Sequence, residues 1–163
     1  MTDTDTPSSD TSPGILDLWS TVAAARAAFL DAIEDVSEAD ALRPRPDEPG
    51  GWCVLQVVQH VLGWNENVEV VITETAEGRP FPKHPRGYLP PASPPTLAEA
   101  RRALIEASMR FLTLPQRLPA RPNEDVTVAH EVYGEMNYLG WFARCAAHDG
   151  DHMRQILAIK ATY

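Results

Sequence analysis

Residues 79–95, RPFPKHPRGYLPPASPP, constrain the fold most, because seven of these residues are proline. Proline lacks a backbone donor and clashes with the preceding helical turn, so neither a helix nor a central strand survives at this density. The segment is therefore predicted to be a long crossover between regular elements. Loops of this length in compact domains often form lids or walls of binding sites. His84 lies among these prolines and is predicted to be exposed and not a ligand.

Apolar residues on both sides of the prolines recur at helical spacing. They predict four helices, from Ile15 to about Val36, from about Gly51 to Gly78, from Thr96 to Pro115, and from about Asn137 to Lys160. The third begins with a capping-box pattern, Thr96 followed by Glu99. Residues 115–130 are predicted to be a polar connection with a short extended part. The expected fold is an all-α four-helix bundle with the Pro-rich crossover between helices two and three.

Composition limits the class of protein. Residues 1–13 are mostly Thr, Ser, Asp and Pro and are predicted to form a disordered tail, and residues 14–163 to form a single domain. The net charge of −9 argues against nucleic acid or an anionic membrane as the main partner. Cys53 and Cys145 are too few for a disulfide framework and are expected in the core. Without a signal-peptide pattern or a long apolar run, a cytoplasmic location is expected.

The last predicted helix carries two histidines, His148 and His152, four residues apart. This spacing puts both rings on the same side of a helix. On a helical wheel both fall within about 60° of one line, together with Trp141, Cys145, Ile156 and Ile159, and this is the stripe expected to face the core. Burying two imidazoles is unfavourable unless their nitrogens find partners, and a divalent metal ion would supply one.

His60 is the candidate third ligand, since it lies at the border of the second helix's apolar arc. The alternative is that His60 faces solvent or donates to a neighbouring carbonyl. Three protein ligands that leave coordination positions open are typical of catalytic metal sites. Trp64 and Trp141 lie on the inner arcs of the two histidine-bearing helices, where such residues are usually packing but can also line a cavity.

Three further residues have two interpretations each. Arg26 falls inside an apolar stripe, where pairing with a carboxylate or snorkelling is favoured over facing a pocket with an acidic ligand. Asp149 follows His148, but the string HDGDH fits the H-E-x-x-H protease helix poorly, because Asp replaces Glu and a glycine interrupts it. Asp149 is thus only a candidate helper in a hydrolase. His130, beside a carboxylate, is interpreted as a solvated loop residue.

Two segments resemble the DinB/YfiT-like superfamily. Residues 51–62, GWCVLQVVQHVL, resemble its Gly-Trp-Ser segment with a following His-Leu, and residues 148–156, HDGDHMRQI, look like its H-x-x-x-H-x-x-Q-I signature. The resemblance implies that family's four-helix bundle and a metal triad at His60, His148 and His152. It also implies a divalent ion such as Zn or Ni, and homodimers. Cys53 replaces the Ser or Thr common at the helix cap, at an expected loss of about 1 kcal/mol.

By the same resemblance, the expected function is a metal-dependent thiol S-transferase. A low-molecular-weight thiol such as mycothiol, bacillithiol or glutathione would be held as thiolate for attack on a small electrophilic substrate. Arg26 would then meet a carboxylate of the thiol. The alternatives are a metal-dependent hydrolase, with Asp149 assisting the attack of water, and a non-enzymatic stress-response protein that binds a metal or ligand.

Overall fold

The computed structural model describes residues 14–45, 47–48, 50–81 and 94–163. The predicted tail at 1–13, His84 and most of the predicted lid lie outside the described residues. The helices are α1 (Ile15–Ala32), α2 (Glu38–Ala41), α3 (Val54–Ala76), α4 (Leu97–Leu112), α5 (Leu114–Arg117) and α6 (Tyr138–Lys160), and the strands are β1 (Val128–His130) and β2 (Gly134–Met136). Within these ranges no helix has the length and apolar character needed to cross a membrane.

The four long helices α1, α3, α4 and α6 form a bundle, and this part of the sequence prediction is confirmed. Helix α6 packs against both α1 and α3, while α4 packs against α3 and, over a smaller area, against α1. Helices α1 and α3 therefore lie diagonally across the bundle from each other. A two-stranded hairpin and two single-turn helices are added to the four predicted helices.

Helix direction explains why a long crossover is needed. One apolar cluster joins the C-terminal ends of α1 and α6 to the N-terminal ends of α3 and α4, and a second cluster joins the opposite ends. Helices α3 and α4 are thus parallel although they are consecutive long helices. The caps Glu77 and Thr96, which flank the proline-rich stretch, therefore lie at opposite ends of the bundle.

Local features define three helix ends close to where the sequence predicts them. The Cys53 N–H donates to Gln56 Oε1 at 3.0 Å at the start of α3. The Thr96 hydroxyl accepts from the Glu99 N–H at 3.2 Å at the start of α4. Gly78 follows the last turn of α3 with φ of 80°, in the left-handed region that glycine favours.

The first helix ends earlier than predicted. The apolar spacing extended it to Val36, whereas α1 stops at Ala32 and a turn follows. Two cations from other helices bind the carbonyl groups at this end. Arg101 of α4 donates to the Ile33 carbonyl, and Lys160 of α6 donates to the Ala32 carbonyl at 3.1 Å. Because side chains donate to these carbonyl groups, the carbonyl groups do not depend on a further helical turn for hydrogen bonds.

The connection between α4 and α6 is more ordered than predicted. It contains α5 and an antiparallel hairpin that pairs Val128 with Met136 and His130 with Gly134. His130, expected to be solvated in a loop, is half-buried at the end of β1. Its ring lies 5.6 Å from that of Trp141 and 4.8 Å from that of Tyr133, because the hairpin packs against the start of α6.

A buried polar layer separates the two apolar clusters. Each long helix contributes one residue to it, and each of these residues is at most 5% exposed: Arg26, Asn65, Ser108 and Asp149. In the sequence, each one lies between residues of the first cluster and residues of the second. The candidate metal ligands adjoin this layer.

Candidate metal centre

The bundle brings together the three histidines that the sequence singled out. His60 extends from α3, and His148 and His152 extend from α6. One nitrogen from each ring lies within 4.8 Å of the others, which makes this group the candidate metal centre among the described residues. The ring centroids are 5.2 Å apart for His60 and His148, 4.7 Å for His60 and His152, and 4.4 Å for His148 and His152.

The facing nitrogens have the spacing of atoms that share one cation. Nε2 of His60 and Nε2 of His148 lie 3.2 Å apart. Tetrahedral zinc with bonds of 2.0–2.1 Å separates its ligand nitrogens by about 3.3–3.4 Å. Nδ1 of His152 lies 2.8 Å from Gln155 Oε1, which leaves Nε2 of His152 as its ligand atom. Three imidazole nitrogens within 4.8 Å of one another are a donor set suited to a divalent metal ion.

Two tryptophans enclose the histidines. The Trp64 ring stacks on His148, with centroids 3.8 Å apart and an angle of 10° between the planes. Trp52 lies 4.8 Å from His60 and shields it, so His60 is only 6% exposed although it was predicted at the border of its helix's apolar arc. Trp141 lies two turns before His148 on α6, and its ring contacts His130. Trp64 thus lines the centre, whereas Trp141 packs in the second apolar cluster.

Burial keeps the α6 histidines neutral. It lowers the pKa of His148 to about 3, and the neighbouring Asp149 only partly opposes this. Burial also lowers the pKa of His152, which is half-buried. A neutral imidazole has a free lone pair, and that is the form that binds a metal ion.

Arg26 pairs with a carboxylate, as the favoured interpretation of the sequence has it. Its Nε donates to Asp149 Oδ2 at 2.7 Å and its Nη2 donates to Asp149 Oδ1 at 3.2 Å. Its Nη1 donates to Asn65 Oδ1 at 3.0 Å and to the Ser108 hydroxyl at 2.6 Å. This guanidinium is committed to groups inside the bundle, and it is not placed to meet a carboxylate of a bound thiol.

Asp149 is committed in the same way. Its side chain has no exposed surface, and both of its oxygens accept hydrogen bonds from Arg26. Burial alone would raise the pKa of this carboxyl, but His148 and Arg26 outweigh that effect and hold the pKa below its usual value. Asp149 is therefore ionised and paired with Arg26 inside the bundle, with no side-chain surface exposed to solvent.

The sequence reasoning assigned no role to four residues near the centre: Trp52, Asn65, Ser108 and Gln155. Asn65 and Ser108 left a signal, since each is a polar residue on an otherwise apolar helix face. Trp52 and Gln155 lie in the two segments that resemble the DinB/YfiT-like superfamily, residues 51–62 and 148–156. Their roles depend on contacts between helices or across one turn, which no spacing rule specified.

Comparison with known proteins shows the family and supports the fold. The model of the DinB superfamily matches residues 21–156. TT2238, solved as a four-helix bundle protein, is 21% identical with a TM-score of 0.66, covering 89% of this chain and 99% of its own. YfiT from Bacillus subtilis, described as a probable metal-dependent hydrolase with an unusual four-helix bundle topology, is 16% identical with a TM-score of 0.60, covering 100% of this chain and 95% of its own. No curated protein matches the chain.

Proposed function

We propose a function for this chain from one premise, that it belongs to the DinB superfamily, whose model matches residues 21–156. The chain is an enzyme that holds one divalent ion with His60, His148 and His152. The observation that carries this proposal is the 3.2 Å between the Nε2 atoms of His60 and His148 in a buried position. Two buried imidazole nitrogens so close together need either a shared proton or a shared cation.

The three histidines would contribute neutral nitrogen ligands from one side. A divalent ion held there would keep coordination positions open and would lower the pKa of a thiol or water that enters. Trp64 fixes the plane of the His148 ring by stacking on it, and Gln155 fixes His152 through Nδ1. Trp52 keeps water away from the His60 side.

The reaction proposed for this site is the transfer of a low-molecular-weight thiol to an electrophile. The position of Asp149 supports this choice over hydrolysis, because its carboxylate is buried and both of its oxygens accept hydrogen bonds from Arg26. A thiol starts from a pKa of about 8.5, whereas water starts from about 15.7. A thiol therefore needs less help from a protein base to become a nucleophile at neutral pH.

Metal-dependent hydrolysis is the second candidate. It is favoured by the description of YfiT as a probable metal-dependent hydrolase, although that protein is only 16% identical to this chain. For this chain the hydrolytic reaction would need a base other than Asp149.

Metal content and metal-dependent stability test the core of the proposal. We expect about one Zn²⁺ or Ni²⁺ per chain, and a gain of about 2.7 kcal/mol in the free energy of unfolding at a metal concentration 100 times the dissociation constant. His60→Ala should abolish this gain. His130→Ala is the matched control, because it removes a half-buried histidine outside the centre. A wild-type chain without metal, or a His60→Ala variant with unchanged affinity, would contradict the proposal.

The two reactions are separated by substrate. The metal-loaded wild-type protein should consume a chromogenic electrophile such as 1-chloro-2,4-dinitrobenzene faster when mycothiol, bacillithiol or glutathione is added, and His60→Ala should not. Activity on simple esters without thiol, together with indifference to all three thiols, would favour the hydrolase.

A further inference from the structure

His148 differs from His152 in what its second nitrogen contacts. Nδ1 of His152 has Gln155 Oε1 at 2.8 Å. Nδ1 of His148 is buried and, within the part of the chain that the structure describes, has no hydrogen-bond partner. A buried polar nitrogen without a partner is unfavourable, so an acceptor close to it would stabilise it.

That acceptor belongs to Asp149. Its Oδ1 lies 3.8 Å from His148 Nδ1, which is an electrostatic contact and is longer than a hydrogen bond. The two carboxylate oxygens are used unequally by Arg26, with Oδ2 at 2.7 Å from Nε and Oδ1 at 3.2 Å from Nη2. The oxygen that faces His148 is therefore the one with unused accepting capacity.

The carboxylate is held firmly in this place. Arg26 comes from α1, and its Nη1 is fixed in turn by Asn65 of α3 and by Ser108 of α4. Ser108 also donates to the Leu104 carbonyl at 2.5 Å, which fixes the hydroxyl. Three helices thus determine where the carboxylate from the fourth helix lies relative to the imidazole.

We propose that Asp149 is a positioning residue for His148. Its Oδ1 faces His148 Nδ1–H at 3.8 Å, with Arg26 holding the carboxylate, and this electrostatic contact directs the Nε2 lone pair to the metal position. The inference rests on the proposed function, because it assigns a purpose to Nε2. A histidine ligand that donates its other N–H to a carboxylate is a general arrangement in metal sites.

The tautomer is what the carboxylate selects. A neutral imidazole carries its single proton on one nitrogen only. With the proton on Nε2, His148 would present a lone pair to the negative Asp149 and an N–H to the metal position. With the proton on Nδ1, both contacts become favourable.

A purely structural role for the buried pair makes a different prediction. In that case Arg26 and Asp149 only join the helices, and removing both charges together would change stability but not the histidine. Replacing a buried ion pair by apolar residues is often tolerated, so folded variants without the pair can be compared.

The test compares two double variants whose side chains at position 149 are similar in shape but differ in polarity. Both carry Arg26→Met, one with Asp149→Asn and the other with Asp149→Leu. Asn and Leu have nearly the same shape, but only Asn keeps an acceptor for Nδ1–H. The Leu variant should bind Zn²⁺ 10–100 times more weakly than the Asn variant, measured by competition with a chelating dye. Circular dichroism establishes that both are folded.

A second measurement reads the tautomer directly. In the metal-free wild-type protein and in the Asn variant, the ¹⁵N chemical shifts of His148 should report the proton on Nδ1. The Leu variant should shift towards the Nε2 tautomer. Thr75→Ala is the control, since it removes a buried hydrogen bond to the Val71 carbonyl at the other end of α3, and it should lower the Tm without weakening Zn²⁺ binding.

The outcomes separate this inference from the proposed function. Normal Zn²⁺ binding by the wild-type chain together with equal affinities of the Asn and Leu variants would overturn the inference alone. A wild-type His148 with its proton on Nε2 would do the same. A wild-type chain that binds no Zn²⁺ would overturn both.

Discussion

Two His-Asp neighbours on α6 have opposite environments. Asp149, next to His148, has no exposed surface and pairs with Arg26, whose side chain is only 5% exposed. Asp151, next to His152, has a side chain that is 49% exposed and lies 2.5 Å from the exposed Arg154. The two aspartates are two residues apart, so they point to nearly opposite sides of the helix, and one joins the buried polar layer while the other forms a solvated ion pair.

The difference shows that position in the bundle decides what a charge contributes. At Asp149 the carboxylate is desolvated, Arg26 of α1 donates to both of its oxygens, and Asn65 of α3 and Ser108 of α4 accept from the same guanidinium. At Asp151 water competes with each partner. The inner pair, Arg26 and Asp149, is therefore expected to affect both helix packing and His148. The outer pair, Arg154 and Asp151, is expected to have little effect on helix packing or on His152.

The largest expected effect follows from removing each carboxylate in turn. Asp149→Ala leaves Arg26 buried without its partner and should lower the free energy of unfolding by about 3–5 kcal/mol. Asp151→Ala should change it by less than about 1 kcal/mol, because exposed ion pairs contribute little. Urea unfolding followed by circular dichroism measures both. Similar losses for the two variants would show that the inner and outer pairs are equivalent.

The pH dependence of the metal-free protein sharpens the comparison. His148 has a folded-state pKa of about 3 because it is buried, so between about pH 6.5 and 3 the unfolded chain binds a proton that the folded chain does not. Stability should therefore fall as the pH falls through this window, by about 1.4 kcal/mol per pH unit for this group.

His148→Leu tests this assignment. It should flatten the slope between pH 6.5 and 5 more than His152→Leu. His152 is half-buried, and the lowering of its pKa by burial is opposed by its hydrogen bond with Gln155. Unfolding in urea at several pH values in the presence of a chelator measures the slope. An unchanged slope in His148→Leu would mean that other groups dominate.

The smallest expected effect concerns Gln155, which contacts His152. Gln155→Leu removes the 2.8 Å contact to His152 Nδ1 and should weaken Zn²⁺ binding by about tenfold, at the lower end for partners of ligating histidines. Gln155 is partly exposed, so the Tm should change little. A loss of affinity equal to that of His152→Ala would indicate that Gln155 does more than orient the ring.

Spacing along the chain was sufficient to predict the four long helices and the placing of His148 and His152 on one helix face. Apolar periodicity placed α3, α4 and α6 within a few residues, and the four-residue spacing put His148 and His152 on one face. The end of α1 was not predictable, because Arg101 and Lys160 reach it from distant parts of the chain.

The partner of Arg26 was also beyond local reasoning. Arg26 and Asp149 are 123 residues apart, and the sequence offers Asp149 and Asp151 as near-equivalent candidates. Only the packing of α1 against α6 distinguishes them. His60 was placed at a border because a wheel ignores neighbouring elements, and Trp52, outside the helix, covers it.

The buried polar layer has a consequence for how this sequence can change. Arg26, Asn65, Ser108 and Asp149 each satisfy a group on another helix, so replacing Arg26 or Asp149 alone leaves a buried charge without its counterpart. Double-mutant cycles among the four positions should therefore be strongly non-additive. Relatives that lack the arginine are expected to lack the aspartate as well, so the two positions should covary although they lie at opposite ends of the chain.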